Sequence, residues 1–141
     1  MEPDLRQLPA RDLRAGLDAA VHRRRPSPAR ARRARPQAIA GGETAGIPFA
    51  SYLAAALGLP LVYVRKKPKD YGIASRVEGR LERGARVVLV EDLITDGGSK
   101  LGFLDALAEV GGEVGHAVVL FDREQGGREM LAERGVALHA V

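Results

Sequence analysis

The stretch "VVLVEDLITDGGSK", Val87 to Lys100, decides how this chain reads. Four apolar residues run into two adjacent acids, and then come Thr95, Asp96, two glycines and Ser99 before an apolar helical pattern begins. A short apolar run of this kind is a buried strand, with Glu91 and Asp92 at its tip. Glycines after a strand let backbone N–H groups turn inward around an anion, and a helix starting there adds a positive partial charge. Thr95 and Ser99 supply hydroxyl donors. The segment Thr95, Asp96, Gly97, Gly98, Ser99 therefore reads as a phosphate cradle, in which Asp96 must turn its charge away. It lacks the Gly-Lys-Ser/Thr of a Walker A loop and the spacing of a dinucleotide fingerprint. Carboxylates beside a phosphate site suit a polyhydroxylated phosphate ester: the acids accept from sugar hydroxyls while the loop holds the phosphate.

Working outward, strands alternate with helices at short spacing. "QAIAGG" reads as a strand. "AGIPFASYLAAALG" reads as a helix, with Pro48 in its first turn and Gly58 as its stop. "LPLVYVRK" is a strand, and "KPKDYGIASRVEGRLERGA" a long polar loop with room for a hairpin. After the central strand, "GSKLGFLDALAEVGG" is a helix with Leu101, Leu104, Leu107 and Ala108 on one face. "EVGHAVVLFD" is a strand, "GGREMLAERG" a short helix and "VALHAV" a last strand. The pattern predicts an α/β domain with a mainly parallel sheet flanked by helices. Ligands of such sheets bind beyond the carboxyl ends of the strands. "GGET", "RKKPKD", "EDLITDGGS" and "FDREQGG" all fall at such ends.

The bulk numbers bound the rest. A chain of 141 residues suits one domain, and 4% aromatic content forces a core of Ala, Val, Leu and Ile. No cysteine is present, which removes disulfides and thiolate metal sites and fits a reducing cytoplasm. No apolar run approaches the roughly 20 residues of a membrane span, and the N-terminus lacks signal-peptide features. The net charge of +4 is local: residues 19–42 hold seven arginines and no acid, leaving +4 − 7 = −3 elsewhere. Basic character is thus one block, which argues against nucleic acid as the partner of the domain. Residues 1–36 form an atypical Arg/Pro-rich segment with little to bury, and the regular pattern occupies residues 37–141. His22 lies in the arginine block, while His116 and His139 read as satisfied polar groups in strands.

"VVLVEDLITDGGS" resembles the phosphoribosyl-diphosphate (PRPP) motif of the type I phosphoribosyltransferases. The resemblance implies that Glu91 and Asp92 hold the ribose hydroxyls and that the following loop binds the 5-phosphate. "RKKPKDYG" narrows the class. A basic run is ordinarily a solvated face, but this one follows a strand and opens a long glycine-containing loop. It is similar to the mobile catalytic loop of orotate phosphoribosyltransferases, matched at Arg65, Lys66, Lys69 and Gly72. Tyr71 stands where many members have His, and its phenol holds its proton too tightly at neutral pH for easy transfer. "AGGETAGIPFAS" resembles the diphosphate-binding turn, with Gly41, Gly42, Glu43 and Thr44 forming it. Ala45 replaces a Lys that many members carry. In "FDREQGG", Arg123 matches an Arg that binds orotate, with pairing to Asp122 or Glu124 as the bland alternative. Thr95 is expected to face orotate as well.

The resemblance implies a type I phosphoribosyltransferase fold and transfer of ribose 5-phosphate from PRPP to orotate, with Lys69, Asp92 and Glu91 as catalytic residues. It also implies Mg²⁺ bound mainly by substrate oxygens, and a homodimer in which the basic loop serves the neighbouring subunit. The family's N-terminal hood over orotate is reduced or missing, since only Ser27-Pro28 echoes its signature. A truncated or misframed start and a true loss of the hood both account for this. Transfer to another base, or a non-catalytic homologue that touches nucleic acid through the arginine block, are the alternatives. The Arg-Lys-rich loop argues against another base, and the arginine block has no interleaved aromatics for base stacking.

Overall fold

The computed structural model describes residues 35–68 and 75–141, together with Ala15. Six strands form one sheet: β1 (Ala38–Gly42), β2 (Leu61–Val64), β3 (Val77–Glu78), β4 (Arg86–Ile94), β5 (Glu113–Asp122) and β6 (Ala137–Ala140). Their order is β3-β2-β1-β4-β5-β6, and every pairing is parallel except β2 with β3. The residues from 35 onward that are described also form three helices: α1 (Gly46–Leu57), α2 (Gly98–Glu109) and α3 (Gly127–Glu133). Among the described residues, no helix is long and apolar enough to cross a membrane.

Val87 to Val90 are apolar without alternation because both faces of β4 are covered. On one side Val88 and Val90 pack with Ile39 and with Ala50, Leu53 and Ala54 of α1. On the other, Val87 and Leu89 meet Phe103, Leu104 and Leu107 of α2 and Leu131 of α3. Phe103 is the one aromatic in the described core, as a chain poor in aromatics requires. Helix α1 ends where Gly58 takes the left-handed conformation (φ 64°) and returns its N–H to the carbonyls of Ala54 and Ala55.

Two local expectations need correction, and a third holds. β4 does not end at the two acids. It runs on to Ile94, paired with β5 through Leu93–Phe121 and Ile94–Asp122, whereas its pairing with β1 stops at Gly41–Val90. The acids thus lie on a ledge just past the end of β1. The buried face of α2 is Lys100, Phe103, Leu104, Ala106 and Leu107, while Ala108 is exposed. The polar loop does return as a hairpin, with Val64 opposite Val77 and Tyr63 opposite Glu78.

The topology fixes where a ligand can sit. From β1 the chain crosses through α1 to β2 on one side. From β4 it proceeds through α2 to β5 and through α3 to β6 on the other. The order therefore switches between β1 and β4, and the carboxyl ends of those two strands open a crevice. Phe103→Ala should lower stability by about 3–5 kcal/mol, read in urea denaturation with an unchanged m-value. A loss under about 1 kcal/mol would mean that α2 does not depend on this contact.

Candidate functional site

Four turns meet at the switch point. The first follows β1. Gly42 and Gly46, both buried, flank the turn Glu43–Ala45, whose Glu43–Thr44 peptide is cis. Glu43 donates its N–H to Val64 O (2.9 Å), and its Oε2 accepts the N–H of Lys66 (2.7 Å). This turn is thereby tied to the end of β2 and to the start of the basic loop.

In the basic loop, Lys66 and Lys67 are exposed, and Arg65 lies 3.6 Å from Glu78 Oε1. Lys69 and Tyr71 lie outside the described residues, as does Gly72. The loop's base is anchored by a residue that sequence reading passed over. Arg76 donates through Nε to Arg65 O (3.0 Å) and through Nη1 to Gly102 O (3.0 Å), joining the loop to α2.

The third turn follows β4. Asp92 is half-buried, and its carboxylate has no hydrogen bond or ion pair within the described residues. Glu91 is different. It is only 4% exposed, and its Oε2 accepts from the buried Lys100 ammonium in the first turn of α2. Burial pushes the Glu91 carboxyl above the usual carboxylate range. Lys100 opposes this by hydrogen bond and charge, Asp92 reinforces it, and the nearby Gly42 N–H counters it. Among the described residues, Glu91 Oε1 has no hydrogen-bond partner.

Thr95 to Ser99 then lead into α2. Gly97 adopts φ 85°, and a Cβ there would stand 3.2 Å from Met130 Sδ. Only glycine takes that backbone conformation without strain. The Asp96 carboxylate is turned back on its own loop: Oδ1 accepts the Gly98 N–H (3.0 Å) and lies 3.4 Å from Thr95 Oγ1. It therefore occupies a donor at the mouth of the cradle. Ser99 is exposed beside it.

The fourth turn follows β5. Gly127 is packed so closely that a Cβ would stand 2.6 Å from both Ile94 Cγ1 and Thr95 O. Arg123 donates its backbone N–H to Ile94 O (3.0 Å), and its side chain is exposed with no ion pair among the described residues. The expected competitor for it, Asp122, is held by Arg128 (3.2 Å) and by the Glu124 N–H (2.9 Å). The histidines lie away from these turns. His116 Nδ1 and His139 Nε2 face each other at 3.1 Å, and burial lowers the His116 pKa. Among the described residues, no three His, Asp or Glu side chains converge as a metal site.

A family model described as a phosphoribosyl transferase domain matches residues 29–133. The chain belongs to that family. It is 55% identical over 105 residues to an orotate phosphoribosyltransferase of Roseobacter denitrificans, a match covering 73% of this chain and 47% of that protein. The chain thus spans about half the length of the curated relatives it matches. Among solved structures it resembles the orotate phosphoribosyltransferase of Aeropyrum pernix, with a TM-score of 0.69 and 43% identity over 75% of this chain and 59% of that one. It also resembles the Mycobacterium tuberculosis orotate phosphoribosyltransferase in complex with PRPP. There the TM-score is 0.65, with 31% identity over 76% of this chain and 62% of that one. The type I phosphoribosyltransferase fold expected from the sequence is the fold observed.

If the Thr95–Ser99 turn receives a phosphate, as its sequence leads one to expect, the Asp96 carboxylate competes with that phosphate for the Gly98 N–H. Asp96→Ala should therefore bind inorganic phosphate at least threefold more tightly than the unmodified chain, measured by calorimetry at low salt. Weaker binding by the variant would show that Asp96 shapes the cradle and does not obstruct it.

Proposed function

We propose that this chain carries the catalytic core of an orotate phosphoribosyltransferase. In the reaction, the bond between C1′ of PRPP and the diphosphate oxygen breaks, and its electron pair leaves with diphosphate. N1 of orotate gives up its proton and bonds to C1′, yielding orotidine 5′-monophosphate. The observation that carries this reading is the pairing at the switch point of a carboxylate without a partner among the described residues, Asp92, with a glycine turn at the N-terminus of α2. The likeness to orotate phosphoribosyltransferases supports the choice of base.

Each turn then has a task. Asp92 accepts hydrogen bonds from the ribose hydroxyls. The Thr95–Ser99 turn and the first N–H groups of α2 hold the 5-phosphate, whose charge suits a helix N-terminus. The turn Gly42–Thr44 faces the diphosphate. Breaking the anomeric bond builds negative charge on that group, and Arg65, Lys66 and Lys69 stabilise it as the loop closes. Closure excludes water, which would otherwise hydrolyse the donor. Arg123, exposed and without an ion pair among the described residues, meets the orotate carboxylate, with Thr95 near the ring. A hard cation fits a site with this much substrate oxygen and few protein carboxylates. Mg²⁺ would be held mainly by the diphosphate and ribose oxygens, and it supplies neutralising charge there.

We also place the protein in the cytoplasm as a homodimer, with Lys69 acting across the interface. A chain without cysteine suits that compartment. Helix α1 carries no charged residue, and its outward positions include Pro48, Tyr52 (69% exposed), Ala55 and Ala56. A second copy is the partner that this face suits.

The direct test mixes the protein with orotate, PRPP and Mg²⁺ and follows the loss of orotate's ultraviolet absorbance. Consumption dependent on both PRPP and Mg²⁺ is expected, and its absence would remove orotate transfer from this chain. Asp92→Asn and Lys69→Ala should each lower turnover at least tenfold, or about 1.4 kcal/mol of barrier. Unchanged rates in both variants would mean that the site lies elsewhere.

A further inference from the structure

The two adjacent acids of β4 are in different chemical situations. Among the described residues Asp92 has no partner, whereas Glu91 is held under the sheet edge by Lys100, itself only 8% exposed. The free oxygen of Glu91 is directed at the turn after β1. A Cβ built on Gly42 would stand 1.9 Å from Glu91 Oε1, and one on Gly46 would stand 2.3 Å from it. The carboxylate therefore fills the space over both glycines that bound the turn Glu43–Ala45. The Phe103 ring closes the same space, its Cε2 lying 2.4 Å from that Gly42 position.

We propose that Lys100 is a positioning residue for this turn: it fixes the Glu91 carboxylate against Gly42 and Gly46, and Asp92 alone of the two acids meets the ribose. This rests on the reading above, in which the turn faces the diphosphate of PRPP. The chain of contacts is short. Lys100 holds Glu91, Glu91 backs Gly42 and Gly46, and the turn between them holds Val64 O and the Lys66 N–H through Glu43. A disturbance at Lys100 thus reaches both the turn and the start of the basic loop without touching a ligand.

The charges around Glu91 are few. Lys100 faces it from α2, and Asp92 lies next to it on β4. From β1 and α1 it meets the backbone of Gly42 and Gly46, and from α2 also the uncharged Phe103 ring. Without Lys100, a buried carboxylate is left alone, and it must take a proton or move out of place.

The test is PRPP binding, with Mg²⁺, by calorimetry between pH 6 and 8, on wild type, K100M, K100R and the E91Q/K100M double variant. K100M should bind PRPP at least tenfold more weakly than wild type at pH 8. The ratio should narrow as the pH falls, because burial raises the Glu91 pKa and protonation removes the charge that loss of Lys100 strands. K100R should keep most of the affinity. The double variant, with no buried charge, should bind at least fivefold more tightly than K100M at pH 8. A merely structural lysine would shift the melting temperature and leave the affinity and its pH profile alone. A folded K100M that matches wild type at every pH overturns the assignment by itself. Should K100M fail to fold, the double variant decides: binding within thirtyfold of wild type upholds the positioning role, and a greater loss overturns it. Wild-type protein that binds no PRPP overturns the reading of the site and this assignment with it.

Discussion

A carboxylate and an ammonium buried side by side beneath the end of β4 set the geometry on which the rest of the site depends. Glu91 belongs to the central strand and Lys100 to the first turn of α2, so their contact fixes where that helix begins relative to the sheet. The N-terminus of α2 is also the cradle's floor. Burying two charges costs several kcal/mol per ion before their attraction is counted, so such a pair is weak evidence of added stability. Removing one partner is another matter, at about 3–5 kcal/mol. The pair therefore acts as a constraint: neither charge can leave without stranding the other.

Around that constraint the fold uses close backbone approach. Gly42 and Gly46 admit the Glu91 carboxylate, and Gly127 admits the end of β4. Larger residues at these positions would push the turns apart. The strand order supplies the crevice, because the connections that follow β1 and β4 leave to opposite faces of the sheet. β4 then outruns β1 by several residues, which leaves Asp92 on a ledge facing the opening. In the proposed function, one phosphorylated sugar would span this ledge and the Thr95–Ser99 turn.

Much of this was legible in the sequence. Apolar run lengths, Pro48, Gly58 and the glycine pairs located every strand and helix of the core. The two adjacent acids before a glycine turn pointed to the crevice at the switch point as the candidate site. What was not read is how the acids divide. Consecutive residues of a strand point to opposite faces. With β4 extending to Ile94, Glu91 falls in phase with Val87 and Leu89, and Asp92 does not. Placing the acids at a strand tip hid that alternation. Lys100 was passed over for a similar reason. Taking Leu101 and Ala108 as the inward stripe shifted the helix by one position, whereas Phe103, Leu104 and Leu107 put Lys100 inward. A lysine and a glutamate that both fall on buried stripes of neighbouring elements are a readable signal for a buried pair. Arg76 had no such signal, since its two carbonyl acceptors are brought together only by the folded hairpin. Lys69 and Tyr71 lie outside the described residues.

The most direct measurement is a crystal structure of the protein with PRPP and Mg²⁺. The account predicts both ribose hydroxyls within hydrogen-bond distance of Asp92, the 5-phosphate on the Thr95–Ser99 turn, and the Glu91–Lys100 pair unbroken beneath Gly42. A structure in which Glu91 has left Lys100 to bind the ribose would contradict it.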